Sequence, residues 1–265
     1  EIYKKGAGTG MSGTVMEEIR RRKVFFDGGM GSLLQARGLK AGELPETWNV
    51  LRPEILKQIH REYLEAGCHI LTTNTFGANR LKYPTGREFS LEKIIEAGVA
   101  NAREAVSAAG RGFVALDLGP TGKLLKPLGD LDFDHAWAVY KEVVETGSRA
   151  GADLVLVETM SDVYEAKAAV LAAKENCDLP VFATMIFDQK GKLLTGGSVE
   201  SAVALLEGLG VDALGINCGL GPVQMKEILR ELLKYTSVPV IVNPNAGLPR
   251  SVNGRTIYDI DEDQF

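Results

Sequence analysis

Residues 181–217 read VFATMIFDQKGKLLTGGSVESAVALLEGLGVDALGIN. The run at 181–186 is β-rich and apolar without strict alternation, which is typical of a strand that is covered on both faces. An apolar stripe with helical spacing follows between 199 and 209, and a second strand-like run occupies 213–217. This order of strand, helix and strand predicts a parallel βα unit.

The same unit recurs along the chain. Strand-like runs also cover residues 24–27, 69–73, 113–118, 154–158 and 238–242. Helical stripes separate the runs, and prolines at predicted first turns and glycines at predicted ends delimit the helices. These residues are Pro53, Pro222, Gly67, Gly110, Gly151 and Gly210. Seven such runs without a break in composition favour an α/β fold of the (β/α)₈ TIM-barrel type, although a doubly wound sheet has the same periodicity.

The domain organisation is predicted to be simple. Residues 1–13 are Gly-rich and without pattern, so we expect a non-native leader there and one barrel domain over 14–265. A seventh helix is predicted to begin at 261–265, where the sequence ends. We therefore expect the eighth βα unit of the barrel to be missing from this chain.

Composition excludes several classes of function. The 265 residues are 45% hydrophobic and 25% charged, with a net charge of −5, which disfavours binding to nucleic acid or to anionic lipid. No apolar run reaches the roughly 18 to 20 residues of a membrane-spanning helix, and no secretory signal is recognisable. The sequence therefore predicts a cytoplasmic protein whose cysteines are reduced.

Polar residues at the carboxyl ends of parallel barrel strands form the active site in this architecture. Asp27, Glu158 and Cys218 end three of the predicted strands. Asp27 is read as an ammonium acceptor or as a turn residue, and Glu158 as a site carboxylate or as a solvated loop residue. Cys218 is read as a catalytic or ligating thiol or as a small buried residue. A predicted helix N-terminus nearby favours its thiolate form.

Several other features are weaker candidates. Cys68 and Cys177 do not end strands and are predicted to be packing or surface residues. The three histidines lack the spacing of metal ligands. The Gly-rich run at 195–198 can hold a phosphate at a helix start, which leaves a phosphate-binding lyase as an alternative.

Taken in chain order, seven short motifs carry a family resemblance. They are residues 27–31 (DGGMG), 46–49 (ETWN), 73–79 (TNTFGAN), 119–122 (GPTG), 158–159 (ET), 215–218 (GINC) and 244–247 (PNAG). From about residue 24 to 265 the sequence resembles the homocysteine S-methyltransferases, and most of all the homocysteine-binding module of the cobalamin-dependent methionine synthases. The resemblance implies a (β/α)₈ barrel that transfers a methyl group to the thiol of homocysteine.

The resemblance also implies a metal. In this family zinc is held by three cysteine thiolates, and the first lies in the Gly-x-Asn-Cys motif, which places it at Cys218. The other two are a Cys-Cys pair after the eighth strand, which is absent from this chain. Asn217 is implied to support the loop that bears Cys218. Zinc deprotonates a bound thiol, so this ligand set suits the activation of a substrate sulfur.

Six residues are implied to form the substrate site, and one of them is Asn217, the support of the Cys218 loop. Asp27 and Glu158 would bind the amino group of homocysteine, while Gly28, Gly29 and the hydroxyl of Thr75 would meet its carboxylate. The implied donor is methylcobalamin charged from methyltetrahydrofolate on other modules, which would be the partner domains. S-methylmethionine and betaine are alternative donors, and a module that binds homocysteine without turnover is a further alternative.

Overall fold

The structure is a computed structural model that describes residues 13–247, 250–252, 255–257, 260, 261, 263 and 265. The predicted leader at 1–13 falls almost entirely outside these residues. Of the predicted helix at 261–265, residues 262 and 264 lie outside them as well.

One parallel sheet forms the centre of the fold. Its strands are β1 (Ile70–Thr72), β2 (Phe113–Leu118), β3 (Leu154–Met160), β4 (Val181–Met185), β5 (Ala213–Asn217) and β6 (Val240–Asn243). They are hydrogen-bonded in chain order, as a barrel wall requires. Six of the seven predicted runs are thus confirmed as strands. The strand predicted at 24–27 is reduced to one residue, Phe26, which makes a single parallel bridge to Ile70.

Helices connect these strands. They are α1 (Val15–Arg21), α2 (Met30–Ala36), α3 (Trp48–Leu51), α4 (Pro53–Ala66), α5 (Leu91–Ala109), α6 (Phe133–Arg149), α7 (Val163–Asn176), α8 (Val199–Gly208) and α9 (Pro222–Leu232), with a 3₁₀ turn at Pro45–Thr47. Pro53 and Pro222 occupy first turns as predicted. Gly67 and Gly110 end α4 and α5 with φ values of 108° and 63°, which glycine adopts without steric cost. In the part of the chain that the structure describes, every helix is too short or too polar to cross a lipid bilayer.

Alternate residues of the strands point into the barrel. A lower interior layer is apolar, and Val15 of α1 belongs to the same cluster. Its strand residues are Ile70, Phe113, Ala115, Leu154, Leu156, Phe182, Ala213 and Ile241. Continuing along the same faces toward the carboxyl ends, the interior becomes polar. We call this second set the polar layer, and it comprises Thr72, Asp117, Glu158, Thr184, Asn217 and Asn243.

Two elements were not predicted. The helix α1 begins with a complete capping box between Thr14 and Glu17. An antiparallel pair, β7 (Arg250–Val252) and β8 (Arg255–Ile257), follows β6. The observed architecture is therefore an α/β fold with a six-stranded parallel sheet of the TIM-barrel kind.

Candidate active site

Asp27 lies directly after the Phe26 bridge and faces the polar layer. Its carboxyl accepts hydrogen bonds from the backbone N–H of Thr72 at 2.9 Å and from the Thr72 hydroxyl at 3.0 Å. The pKa of Asp27 is raised to about 8. Burial is the main cause and Glu158 adds to it, while the two hydrogen bonds from Thr72 act in the opposite direction. A carboxylate offers about four lone-pair sites, so capacity remains for a ligand. A cationic ligand would stabilise the charge that burial disfavours.

Glu158 extends from β3 into the same layer and is half-buried. One of its oxygens lies 3.4 Å from the Nδ2 atom of Asn217. Burial raises the pKa of Glu158 above its ordinary value. Two carboxyls that are both costly to ionise therefore belong to one polar layer, and perturbed carboxyls of this kind are a recurrent feature of ligand sites.

Asn217 connects the carboxyl to the thiol. Its Nδ2 atom donates to Thr159 Oγ1 at 2.7 Å and lies 3.7 Å from the Cys218 Sγ atom. Its Oδ1 atom accepts from the Thr184 hydroxyl at 3.0 Å and from the Thr159 N–H at 3.2 Å. Glu158 and Cys218 thus lie within reach of one amide nitrogen. The supporting role of Asn217 stays a prediction.

Cys218 follows β5 with a φ of 54°, a left-handed conformation that residues other than glycine seldom adopt. Its N–H donates to the carbonyl of Asn243 at 3.0 Å, and its thiol is half-buried. Burial raises the pKa of the Cys218 thiol, and Glu158 raises it further. The expectation that a nearby helix N-terminus favours the thiolate stays a prediction. Helix α9 begins several residues later, at Pro222, and dipole effects fall off within one turn.

The remaining predicted residues differ in availability. Gly28 and Gly29 are exposed, and a Cβ atom on Gly28 would lie 2.8 Å from the Tyr63 hydroxyl. The Thr75 hydroxyl is buried and donates to the Asp117 carbonyl at 2.8 Å. Because its proton is already donated within the protein, Thr75 is less available to a substrate carboxylate than the two glycines are.

The other cysteines lie away from the polar layer, as predicted. Cys68 is buried just before β1, and Cys177 caps the end of α7. Both precede strands, so they are at the amino ends of the barrel. Among the described residues, no group of three or more His, Cys, Asp or Glu side chains is placed to hold a metal ion. This part of the chain therefore offers one suitable thiol, Cys218, and not a complete metal site.

Sequence reasoning assigned no role to three members of the polar layer. Thr72 holds Asp27, Thr184 holds Asn217, and Asp117 is a third carboxyl that is 5% exposed. Asp117 is followed by Leu118 in an apolar run, which conceals its inward direction. The period-two spacing groups Asp117 with Phe113 and Ala115 on one face of the strand, but both faces of the run carry apolar residues, so the spacing alone does not identify the interior face.

The chain has known relatives. A sequence model of the homocysteine S-methyltransferase family matches residues 24–265. The chain belongs to this family. The resemblance inferred from the seven motifs is therefore confirmed, and the chain is a member of a family of methyltransferases.

Individual relatives agree with this assignment. The methionine synthase of Mycobacterium tuberculosis is 34% identical over 253 residues, which are 89% of this chain and 21% of that protein. The methionine synthase of Mycobacterium leprae is 35% identical over 255 residues, with the same coverage. This homocysteine S-methyltransferase family member thus spans about a fifth of the length of the curated relatives it matches.

A solved structure agrees on the fold. The homocysteine methyltransferase MmuM from Escherichia coli, in its metallated form, superposes with a TM-score of 0.78 at 26% identity. The match covers 87% of this chain and 86% of that one. The described part of the chain therefore has the fold of a homocysteine methyltransferase.

Proposed function

We propose that this chain binds homocysteine and presents its sulfur for methylation, which gives methionine. One observation carries the proposal. The Glu158 carboxyl and the Cys218 thiol lie within reach of the same Asn217 nitrogen, at 3.4 Å and 3.7 Å, and the Asp27 carboxyl is close enough to Glu158 for the two to repel each other. An amino acid with a short thiol side chain matches this pairing of an anionic pocket with a sulfur site.

The residues of the chain would act as follows. Asp27 and Glu158 accept hydrogen bonds from the ammonium group, and the exposed N–H groups of Gly28 and Gly29 meet the carboxylate. This fixes the substrate so that its sulfur points toward Cys218. After the homocysteine thiol has lost its proton to solvent, a lone pair of the thiolate forms the new S–CH₃ bond while the bond from the methyl group to its donor breaks, and that electron pair leaves with the donor. Orientation of this kind supplies much of the rate of a bimolecular displacement.

Zinc belongs to the proposal, with Cys218 as one of its ligands. Bound to thiolates, zinc would keep the substrate sulfur ionised at neutral pH. The described residues supply one of the three thiols that the family resemblance implies, so they do not complete this site. No step is therefore assigned to the metal here.

The methyl donor and the partners are proposed from the relatives. Because the chain covers 21% of proteins named methionine synthase, we place it as the homocysteine module of such an enzyme in the cytoplasm. Its partner modules would carry cobalamin and methyltetrahydrofolate, and its barrel would be completed by an eighth βα unit. S-methylmethionine and betaine remain the alternative donors.

A substitution of Cys218 tests the function. Two quantities are measured in the full-length protein. One is the rate of methionine formation from homocysteine, with methylcobalamin, S-methylmethionine or betaine supplied in turn as the methyl donor. The other is the amount of zinc bound to the protein. Cys218→Ser should lose both, by more than the roughly 10- to 100-fold typical of a residue that merely supports a metal ligand. Cys177→Ser is the matched control, since that thiol lies at the end of α7 and should leave both values unchanged.

Two results would reject the proposal. Retention of both zinc and turnover by Cys218→Ser would remove Cys218 from the chemistry. Homocysteine binding without methionine formation from any of the three donors would instead identify a binding module.

A further inference from the structure

Asp117 is a buried carboxyl with an unexplained oxygen atom. It lies in β2 and is 5% exposed, and its Oδ1 atom has no hydrogen-bond partner among the described residues. Its backbone, in contrast, is fully engaged. The N–H donates to the Thr73 hydroxyl at 3.0 Å, and the carbonyl accepts from the Thr75 hydroxyl at 2.8 Å. Buried polar atoms are nearly always paired, so this one indicates a missing donor.

Other buried carboxyls of the chain are paired. Glu46 accepts from a backbone N–H at 2.6 Å and from the Tyr83 hydroxyl at 2.7 Å. Glu165 accepts from the Tyr140 hydroxyl at 3.0 Å and from two further donors. These two buried carboxyls thus receive hydrogen bonds from protein donors, whereas the Oδ1 atom of Asp117 receives none from the described residues.

The position of Asp117 explains the difference. It continues the inward face of Phe113 and Ala115 and so belongs to the polar layer. Burial raises the pKa of Asp117 well above its ordinary value, and the neighbouring carboxyls of Glu158 and Asp27 raise it further. Three carboxyls are therefore close enough to repel one another. A cation placed among them would remove this repulsion.

An ammonium group is the cation that fits. It carries three N–H donors, and the site presents three carboxyls, of which Asp27 and Glu158 already belong to the proposed amino-group pocket. We propose that Asp117 is a third carboxyl contact for the substrate ammonium group and that it selects amino thiols over thiols without an amino group. This inference rests on the proposed function, because it takes homocysteine as the substrate.

The test compares two thiols that differ in the amino group. Affinities for homocysteine and for 4-mercaptobutyrate, which lacks the amino group, are measured by calorimetry with the full chain and with Asp117→Asn. The variant keeps the shape of the side chain and removes its charge. It should bind homocysteine at least about tenfold more weakly and bind 4-mercaptobutyrate unchanged. Asp178→Asn, at an exposed position before β4, is the matched control and should alter neither affinity.

A second variant guards against an effect of folding. Asp117→Val removes the unpaired carboxyl from a β-strand and should retain the fold, as monitored by its urea midpoint, while showing the same selective loss. Equal losses for both thiols would indicate a structural role and overturn the inference. Unchanged homocysteine affinity in both variants would indicate that a buried water satisfies Oδ1, and would overturn it as well. If the unsubstituted chain binds neither thiol, the proposed function fails and the inference fails with it.

Discussion

Replacing Glu158 by glutamine isolates the charge in the proposed amino-group pocket. The substitution keeps the side-chain length, and the glutamine carbonyl can still accept the bond from Asn217, which is 3.4 Å long in this structure. The substrate ammonium loses one charge-assisted hydrogen bond, worth about 1.5 to 3 kcal/mol. The dissociation constant for homocysteine should therefore rise between about 10-fold and 150-fold.

The same substitution should change stability in the opposite direction. Burial raises the pKa of Glu158. A carboxyl whose folded pKa exceeds its unfolded value stabilises the fold at low pH, and this contribution is lost as the pH rises through the folded value. Glu158→Gln has no such loss. In the absence of ligand, the variant should therefore be more stable than the unsubstituted chain, and this difference in the free energy of unfolding should be larger at pH 8 than at pH 5.

Calorimetric titration gives the affinity, and urea denaturation at the two pH values gives the stability. Glu231→Gln is the control, because Glu231 lies in the last turn of α9 and bonds to the exposed Lys234 and Tyr235. It should alter neither affinity nor the pH dependence. The reasoning is refuted if Glu158→Gln binds homocysteine as tightly as the parent, or if it loses affinity and stability together, as a merely structural residue would.

Two further predictions concern the scaffold. His60 is fully buried, with both ring nitrogens unpartnered among the described residues, and burial lowers its pKa from 6.5 to about 4. The chain should therefore lose about 3 kcal/mol of stability between pH 6.5 and pH 4, as measured by urea denaturation, and His60→Leu should not show this loss. The control His135→Gln, at an exposed position, should behave like the parent. Equal acid sensitivity of all three proteins would contradict this prediction. Gly215→Ala should destabilise the chain by about 2 kcal/mol or more, since its Cβ atom would overlap the Ile241 carbonyl of β6, and an unchanged thermal midpoint would show that the strands separate easily.

Much of the fold could be predicted because a barrel repeats one physical pattern. Each strand is covered on both faces and reads as an apolar run, so six runs were placed correctly. The two missed elements depend on local signals. Thr14 and Glu17 have the spacing of a capping box, but they adjoin a stretch without pattern. Asn253-Gly254 separates β7 from β8 in the sequence and is a strong hairpin signal. This signal was not used, because the repeating pattern led us to expect another βα unit there.

The site was predicted in part. Asp27, Glu158 and Cys218 were selected as candidates because polar residues that end apolar runs are conspicuous, and the structure brings Glu158 and Cys218 to one amide nitrogen. The pKa of the thiol was not foreseen, because proximity to a helix N-terminus can be read from sequence but burial beside Glu158 cannot. Asp117 was assigned no role for a related reason. Within a run such as 113–118, the face that points into the barrel is decided by the closure of the sheet, which no single strand encodes.

Asn217 shows how the fold maintains a strained site. Thr159 and Cys218 have φ values of 60° and 54°, and such conformations cost of order 1 kcal/mol or more each. Asn217 contacts both residues, and its amide oxygen and nitrogen are each shared among protein partners. Little hydrogen-bonding capacity is left for a substrate. We therefore propose that Asn217 is a positioning residue, whose contacts with Thr159 and Cys218 stabilise the two strained loops and hold the Cys218 thiol within reach of the polar layer.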